Sequence, residues 1–383
     1  MSRSWLSLIQ KHPVGIVCGL LVCVLSTSLS AQQATTVTRT PSFWFLVLGA
    51  EQGWDTNPLL NPGATSDATT TAGASLSVFK RRQVSTYTIT ANAGINRFQK
   101  NSALTNFSYG VNASADKRLT AAVTVAGQVG YDTRLSSGVV GAVDLPYLGL
   151  VQQKQLTSSM SIVDKLTART TATGRVGYSQ AQFDSPGAIP GILATGSAEV
   201  SHALSPTNVI GLDLNAQQGD TQGATTSLQS VAASWRKTFG HVAFVAGGGV
   251  VRAATVGPAT FSPLGSVSLA DSVGPGYLSG GYSYTVSPAF GLGGIFTTSA
   301  GQVSYDLQAL RGNFLTISGV TGRSTQSGSR GPAFRAEGMS VRLRRVTKTG
   351  LALSFGSSYR ARKDVYLTKG FGGSFGLGFM FGS

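Results

Sequence analysis

The sequence predicts an all-β fold, a transmembrane antiparallel up-and-down β-barrel of about 18 strands with 16 as the alternative, and three observations carry that prediction. The first is the C-terminal segment FGGSFGLGFMFGS. Phe371, Phe375, Leu377, Phe379 and Phe381 share one parity, and Gly372, Ser374, Gly376, Gly378 and Gly382 share the other. Successive strand side chains point to opposite faces, so this segment has one aromatic face and one nearly bare polar face. The second is that the same pattern recurs along the chain. The third is the composition of the minor face, which is Gly, Ser, Thr and Asn with an occasional Asp. A soluble β-sandwich or β-helix would set Lys and Glu there, to meet water and resist edge pairing. A polar lumen inside an apolar wall needs no such charge.

The elements follow in order. Arg3 and Lys11 precede an apolar run from Val14 to Leu25, and Ser-Thr-Ser-Leu-Ser-Ala follows. That is the charged, hydrophobic and small-residue order of a secretory signal peptide, so residues 1–31 are expected to be a leader and 32–383 the barrel. The apolar run falls short of the roughly 20 residues a membrane helix needs. In 85–95, Tyr87, Ile89, Ala91, Ala93 and Ile95 alternate with Thr86, Thr88, Thr90, Asn92 and Gly94. In 106–116, Phe107, Tyr109, Val111, Ala113 and Ala115 alternate with polar residues throughout, over about the length a tilted strand uses to cross hydrocarbon. Further copies run through Val123 to Tyr131, Ile210 to Leu214, Val303 to Leu307 and Leu351 to Phe355.

Short breaks are expected near Lys80-Arg81-Arg82, Lys117-Arg118-Leu119, Asp164-Lys165, Leu204-Ser205-Pro206, Lys237 to Gly240, Ser287-Pro288, Leu310-Arg311-Gly312 and Val346-Thr347-Lys348. These turns join strands in pairs, and one further strand at each end brings the number to 18. The number falls to 16 if the weak segments 42–50 and 301–309 do not span. Longer connections are expected at Asp55 to Thr71, Arg134 to Gln153, Phe183 to Gly191, Thr255 to Pro275, Arg323 to Pro332 and Arg362 to Gly370. Those at 134–153 and 255–275 are long enough to fold inward and narrow a bore. Short turns on one rim and long loops on the other set the short-turn rim in the periplasm.

Composition narrows the function. Charged residues are only 12% of the chain, and 49 glycines accompany abundant Ser and Thr, yet the regular apolar alternation speaks against disorder. The net charge of +15 could suit nucleic acid, but Lys and Arg crowd the short turns, where anionic lipid headgroups suffice to balance them. No nucleic-acid partner is therefore expected. Both cysteines, Cys18 and Cys23, lie in the leader, so the mature chain has no disulfide, thiolate metal site or cysteine nucleophile. Only His202 and His241 survive processing, both beside short turns, and no metal spacing, phosphate loop or nucleophile elbow occurs. No enzyme, cofactor or metal is expected.

On these features the chain resembles Gram-negative outer-membrane β-barrels across essentially the whole mature sequence. Such barrels end on an aromatic residue read by the barrel assembly machinery. Phe381 corresponds to it, with Gly382 and Ser383 following. The segment Gly53-Trp54-Asp55-Thr56-Asn57-Pro58 is similar to a glycine-aspartate-asparagine turn of β-barrel porins associated with exopolysaccharide export loci, and it reads equally as a turn-forming Asp/Asn/Pro cluster.

The candidate lumen-facing residues are the charges on the polar parity: Arg175, Arg342, Arg360, Asp116, Asp132, Asp213, Asp306 and Glu199. They could select solutes by size and sign or brace the wall by pairing. Trp54, Phe79, Phe98, Tyr131, Trp235 and Phe314 are expected in the interfacial girdles. The expected function is a passive or gated channel for small hydrophilic solutes, with outer-membrane lipids as surroundings. The alternatives are a polysaccharide export conduit and a structural or adhesive barrel; oligomeric state does not follow from the sequence.

Overall fold

The alternating segments form strands, and each strand pairs with its neighbours in the chain. The computed structural model describes residues 42–58, 65–136, 151–184, 188–221, 224–255, 259–288, 294–310, 312–326, 333–347, 349–363 and 367–382; the expected leader lies outside them. In order, the strands are β1 (Ser42–Asp55), β2 (Asp67–Arg81), β3 (Ser85–Phe98), β4 (Asn106–Arg118), β5 (Val123–Ser136) and β6 (Val151–Asp164). There follow β7 (Thr170–Phe183), β8 (Gly191–Ser205), β9 (Asn208–Thr221), β10 (Ala224–Phe239), β11 (Val242–Ala254) and β12 (Thr260–Val273). The last six are β13 (Gly276–Pro288), β14 (Ile295–Leu310), β15 (Asn313–Gln326), β16 (Ala333–Val346), β17 (Leu351–Lys363) and β18 (Leu367–Gly382). All 18 belong to one antiparallel sheet, and β1 also pairs with β18, from Phe45↔Gly382 to Asp55↔Gly372. The sheet therefore has no edge. In hydrocarbon only a closed barrel satisfies every strand's backbone groups.

Strand number agrees with the expectation of 18 and excludes 16, since the weak segments lie inside β1 and β14. One turn differs. Ser287-Pro288 closes β13 at the long-connection rim, whereas the short turn is Gly274-Pro275, with Gly274 at φ 57° in the left-handed region that favours glycine. The expected long connection Thr255 to Pro275 divides into 255–259, the strand β12, and this turn. Pro263 and a run of serines conceal that strand in the sequence. Pro263 sits above the level where β12 has β13 as a partner, because that pairing begins at Gly265↔Tyr284. An edge position of this kind accommodates a proline.

Register decides the faces. Phe355↔Phe375, Leu353↔Leu377 and Leu351↔Phe379 lie together on the outer wall, and the same parity runs round the barrel through Val176, Val200, Leu212 and Ala233. These outer side chains are exposed: Val176 is 60% accessible, Phe107 55% and Leu212 51%. A continuous apolar belt of this extent is not stable in water and belongs in lipid. Aromatic pairs mark its borders. Tyr109–Tyr131 (6.1 Å) and Tyr359–Phe371 (5.0 Å) lie toward the long-connection end, while Trp235–Phe244 (5.6 Å) and Phe379–Phe381 (6.4 Å) lie toward the short-turn end.

Three of the aromatics expected in these girdles face inward instead. Phe79 pairs with Phe43 and stacks on it at 4.7 Å, Phe98 pairs with Thr69, and Phe314 pairs with Arg344, all on the polar parity. Position near a strand end suggested a girdle, but parity determines the face. Leu212→Arg, on the lipid face near the middle of β9, should lower unfolding stability in lipid vesicles by roughly 2–4 kcal/mol, as expected for a cation at the bilayer midplane. Asn215→Arg on the opposite face of the same strand should leave it nearly unchanged. Urea titration of both variants checks this, and equal effects would contradict the assignment of faces.

Candidate functional site

The inner wall is built from the small polar residues between the lipid-facing ones. Their hydroxyls and amides pair across strands: Ser279 with Ser304 and Ser318 with Ser340 (both 2.7 Å), Thr298 with Ser324 (2.6 Å), and Thr71 donating to Asn96 Oδ1 (2.7 Å). Register sets Ser279, Ser304, Ser318, Ser340 and Ser358 in one continuous row over five strands, β13 to β17. Paired in this way, these hydroxyls and amides line the bore with their hydrogen-bonding capacity met across the strands.

The sequence-predicted charges occupy this wall in separate groups. Glu199 on β8 lies directly opposite Asp213 on β9, near the middle of both strands. Arg342 on β16 lies opposite Thr316, whose hydroxyl donates to Asp306 at 2.6 Å. Arg360 on β17 pairs with Gly338 and forms an ion pair with Asp55. Asp132 on β5 lies 3.6 Å from Arg134 Nε. Asp116 lies between Thr86 and Ala126, close to the short-turn end, and Arg175 between Ser161 and Ser197.

Arg342, Arg344, Arg360 and Arg362 thus descend one wall, β16–β17, and Glu199 and Asp213 stand half a circuit away. Two adjoining hollows of about 480 Å³ and 420 Å³ follow the basic wall and share Ser340, Ser358 and Arg360. The larger also takes in Glu51, Asp55 and Arg342.

Glu51, Asp55, Arg134, Arg344 and Arg362 were missed as members of this wall. The parity rule that selected Arg342 selects them too, but Asp55, Arg134 and Arg362 fall at the expected starts of long connections, Glu51 just past the weak segment 42–50, and Arg344 beside the expected turn at Val346-Thr347-Lys348. Asp55 also shows what the glycine face of β18 achieves. Arg360 on β17 reaches Asp55 on β1 across β18, whose inner face there is Gly370 and Gly372. A Cβ at Gly372 would lie 3.4 Å from Asp55 Oδ2 and 3.0 Å from Ser358 Oγ. Asp55 Oδ1 accepts from Asn57 N (2.9 Å), and Thr56 exchanges bonds with Phe371, so the Gly53–Pro58 segment ties the barrel's closing seam.

Toward the long-connection end the lumen changes character. β13 and β14 continue pairing to Pro288↔Ile295 after β13 has parted from β12, so the tip of this hairpin leaves the wall. Ile295 and Val286 pack against Leu228, Val251, Ala253 and Leu264 on β10–β12, and a Cβ at Gly219 on β9 would meet Pro288 at 3.8 Å. The hairpin tip therefore leans across the mouth. Inner-face Phe296 and Phe334 are likewise buried there, with ring centroids 6.3 Å apart. The sequence had assigned the narrowing to 134–153 and 255–275. Residues 260–273 are wall strand, and 137–150 lie outside the described residues.

At the same rim Asp67 is 1% exposed and fixes the β3–β4 connection. Its carboxylate accepts from the backbone N–H of Gln99 (3.1 Å), Lys100 (2.9 Å) and Asn101 (2.8 Å), and from Asn101 Nδ2 (2.8 Å).

A closed wall with an apolar exterior, aromatic borders and a polar, charged bore defines a membrane-spanning β-barrel of the outer-membrane type. Among solved structures it is similar to Pseudomonas aeruginosa OpdO, at 14% identity and a TM-score of 0.51, over 89% of this chain and 97% of that one. It is also similar to Acinetobacter baumannii OccAB4 (11%, 0.51, 90% and 99%) and to the outer membrane protein OpdK of P. aeruginosa (11%, 0.50, 90% and 99%). At these identities the likeness is one of fold. No family model matches the sequence, and no curated protein matches it.

Removing the Asp67 carboxylate leaves several N–H donors without their acceptor, at a cost of roughly 1.5–3 kcal/mol for charge-assisted bonds. Asp67→Ala should therefore raise amide hydrogen exchange at Gln99–Asn101 at least tenfold while strand amides in β9 stay protected, as read by mass spectrometry. Asp67→Asn, which keeps an acceptor oxygen, should fall between.

Proposed function

We propose that the protein is an outer-membrane channel that passes small hydrophilic solutes through its bore and screens them by size and charge. The observation that carries this reading is the polar inner wall, with its hollows running beside an arginine-bearing face and two carboxylates half a circuit away. Barrels of this strand number enclose an aqueous channel. Opposed charges across such a bore orient a dipolar or charged solute and raise the cost of one that does not match. The apolar contact of the β13–β14 tip with β10–β12 supplies the size limit, and it speaks against the wide passage an extended polysaccharide needs.

The reading is non-enzymatic. His202 bonds the Thr170 hydroxyl at 3.0 Å and His241 lies 3.3 Å from Asp271, both at the short-turn end, and neither is given a chemical role. The short turns and the start of β1 share one rim, which we assign to the periplasm, with the constricted mouth outside.

Refolded protein in planar bilayers should give discrete conductance steps with weak ion selectivity, because acidic and basic residues are nearly balanced on the inner wall. Arg342→Glu with Arg344→Glu should shift the reversal potential in a salt gradient toward cations, and Glu199→Gln with Asp213→Asn should shift it toward anions. A silent barrel would refute the channel reading, and shifts of the same sign would refute the placement of these charges in the bore.

A further inference from the structure

The outer wall carries one concentration of positive charge that neither the bore nor the lipid tails account for. Arg323 on β15 is directly opposite Arg335 on β16, and Arg335 is directly opposite Lys363 on β17, so three cations form one cross-strand row. Lys369 on β18 lies beside it, opposite Ala361 and two residues above Phe371. All four are exposed and alternate with the buried Ser324, Ala336 and Thr368, as outward-pointing residues must. The row stands just beyond the Tyr359–Phe371 pair that borders the apolar belt, which is the depth of lipid head groups.

Like charges directly opposite one another destabilise a sheet. Among the described residues the ion pair on this row is that of Glu337, 2.7 Å from Arg335 Nη2. Other outward cations near this rim are dispersed: Lys154 is bonded to Asp184 at 3.0 Å, and Arg252 to Gln229 at 3.4 Å. Ser299, opposite Arg323 on the same face, adds a hydroxyl.

We propose that Arg323, Arg335, Lys363 and Lys369 form a binding site for the phosphate groups of a membrane lipid, the phosphorylated glycolipid of the outer leaflet. Guanidinium and ammonium groups on adjacent strands fit a multiply charged phosphate head, and bidentate Arg–phosphate contacts are strong and directional. The lipid occupies the charge that the strand pairing leaves uncompensated, and so holds the upper ends of β15–β18 together from outside.

Native mass spectrometry of the full refolded barrel, titrated with lipopolysaccharide, enzymatically dephosphorylated lipopolysaccharide and phosphatidylglycerol, tests the site. The triple variant Arg323→Gln/Arg335→Gln/Lys363→Gln should bind lipopolysaccharide at least tenfold more weakly than the native barrel. Dephosphorylation should cost the native barrel a similar factor, and a control triple at the other rim, Lys80→Gln/Lys117→Gln/Lys237→Gln, should bind as the native does. Arg323→Lys/Arg335→Lys, which keeps the charge, should retain most of the binding and guards against a folding defect. Equal binding of phosphatidylglycerol would support a lipid-phosphate site while assigning the source to phospholipid. Unchanged lipopolysaccharide binding in the folded triple variant would overturn the proposal. Conductance of the triple variant should equal the native value, so the outcome is separate from the channel reading.

Discussion

The constraint on which everything else rests is that hydrocarbon offers no partner to a peptide N–H or C=O, so the sheet must close on itself. Closure is achieved where β1 meets β18 over the full run from Phe45↔Gly382 to Asp55↔Gly372. The strand that completes the ring is also the one with the barest inner face. Its glycines leave Arg360 free to reach across to Asp55, while its phenylalanines complete the lipid belt. One sequence pattern thus serves both sides of the seam.

Closure also reverses the usual meaning of burial. Across the membrane-spanning belt the large apolar side chains are the exposed ones, because their solvent is lipid, while the interior there is lined with small hydroxyl-bearing residues paired to one another. The strands run 13 to 16 residues, longer than the about 9–11 that crossing requires, and their ends rise past the aromatic borders. In those projecting parts the rules change. The inner face near the mouth becomes apolar and dry at Leu228, Val251 and Phe296, and the outer face becomes cationic at Arg323, Arg335 and Lys363.

That change of rules explains what could be read from the sequence. Where strands cross the membrane, parity alone assigns the face of Tyr109, Leu212 or Phe375, because lipid and lumen ask for opposite chemistry at alternate positions. β12 escaped detection since Pro263, Gly265 and its serines imitate a loop, and only the parting of β13 shows why a proline is tolerated there. Phe79, Phe98 and Phe314 were misplaced because aromatic identity was weighed above parity. The mouth was not legible at all. Ile295 and Leu228 are separated by three strands, and nothing local marks the bend that brings them together. Of the charged wall, individual members were visible, but the Glu199–Asp213 juxtaposition and the Arg360–Asp55 link depend on register and closure.

The central claim, that one parity meets lipid and the other water around a closed wall, can be tested on the final strand by single-cysteine scanning. Both native cysteines, Cys18 and Cys23, lie within the expected leader, so each introduced thiol from 371 to 379 reports alone. In the bilayer-embedded barrel, fluorophores at 371, 375, 377 and 379 should be quenched by a lipid-chain quencher, and thiols at 372, 374, 376 and 378 should react with a water-soluble maleimide. Reversed alternation, or uniform labelling along the strand, would contradict the account.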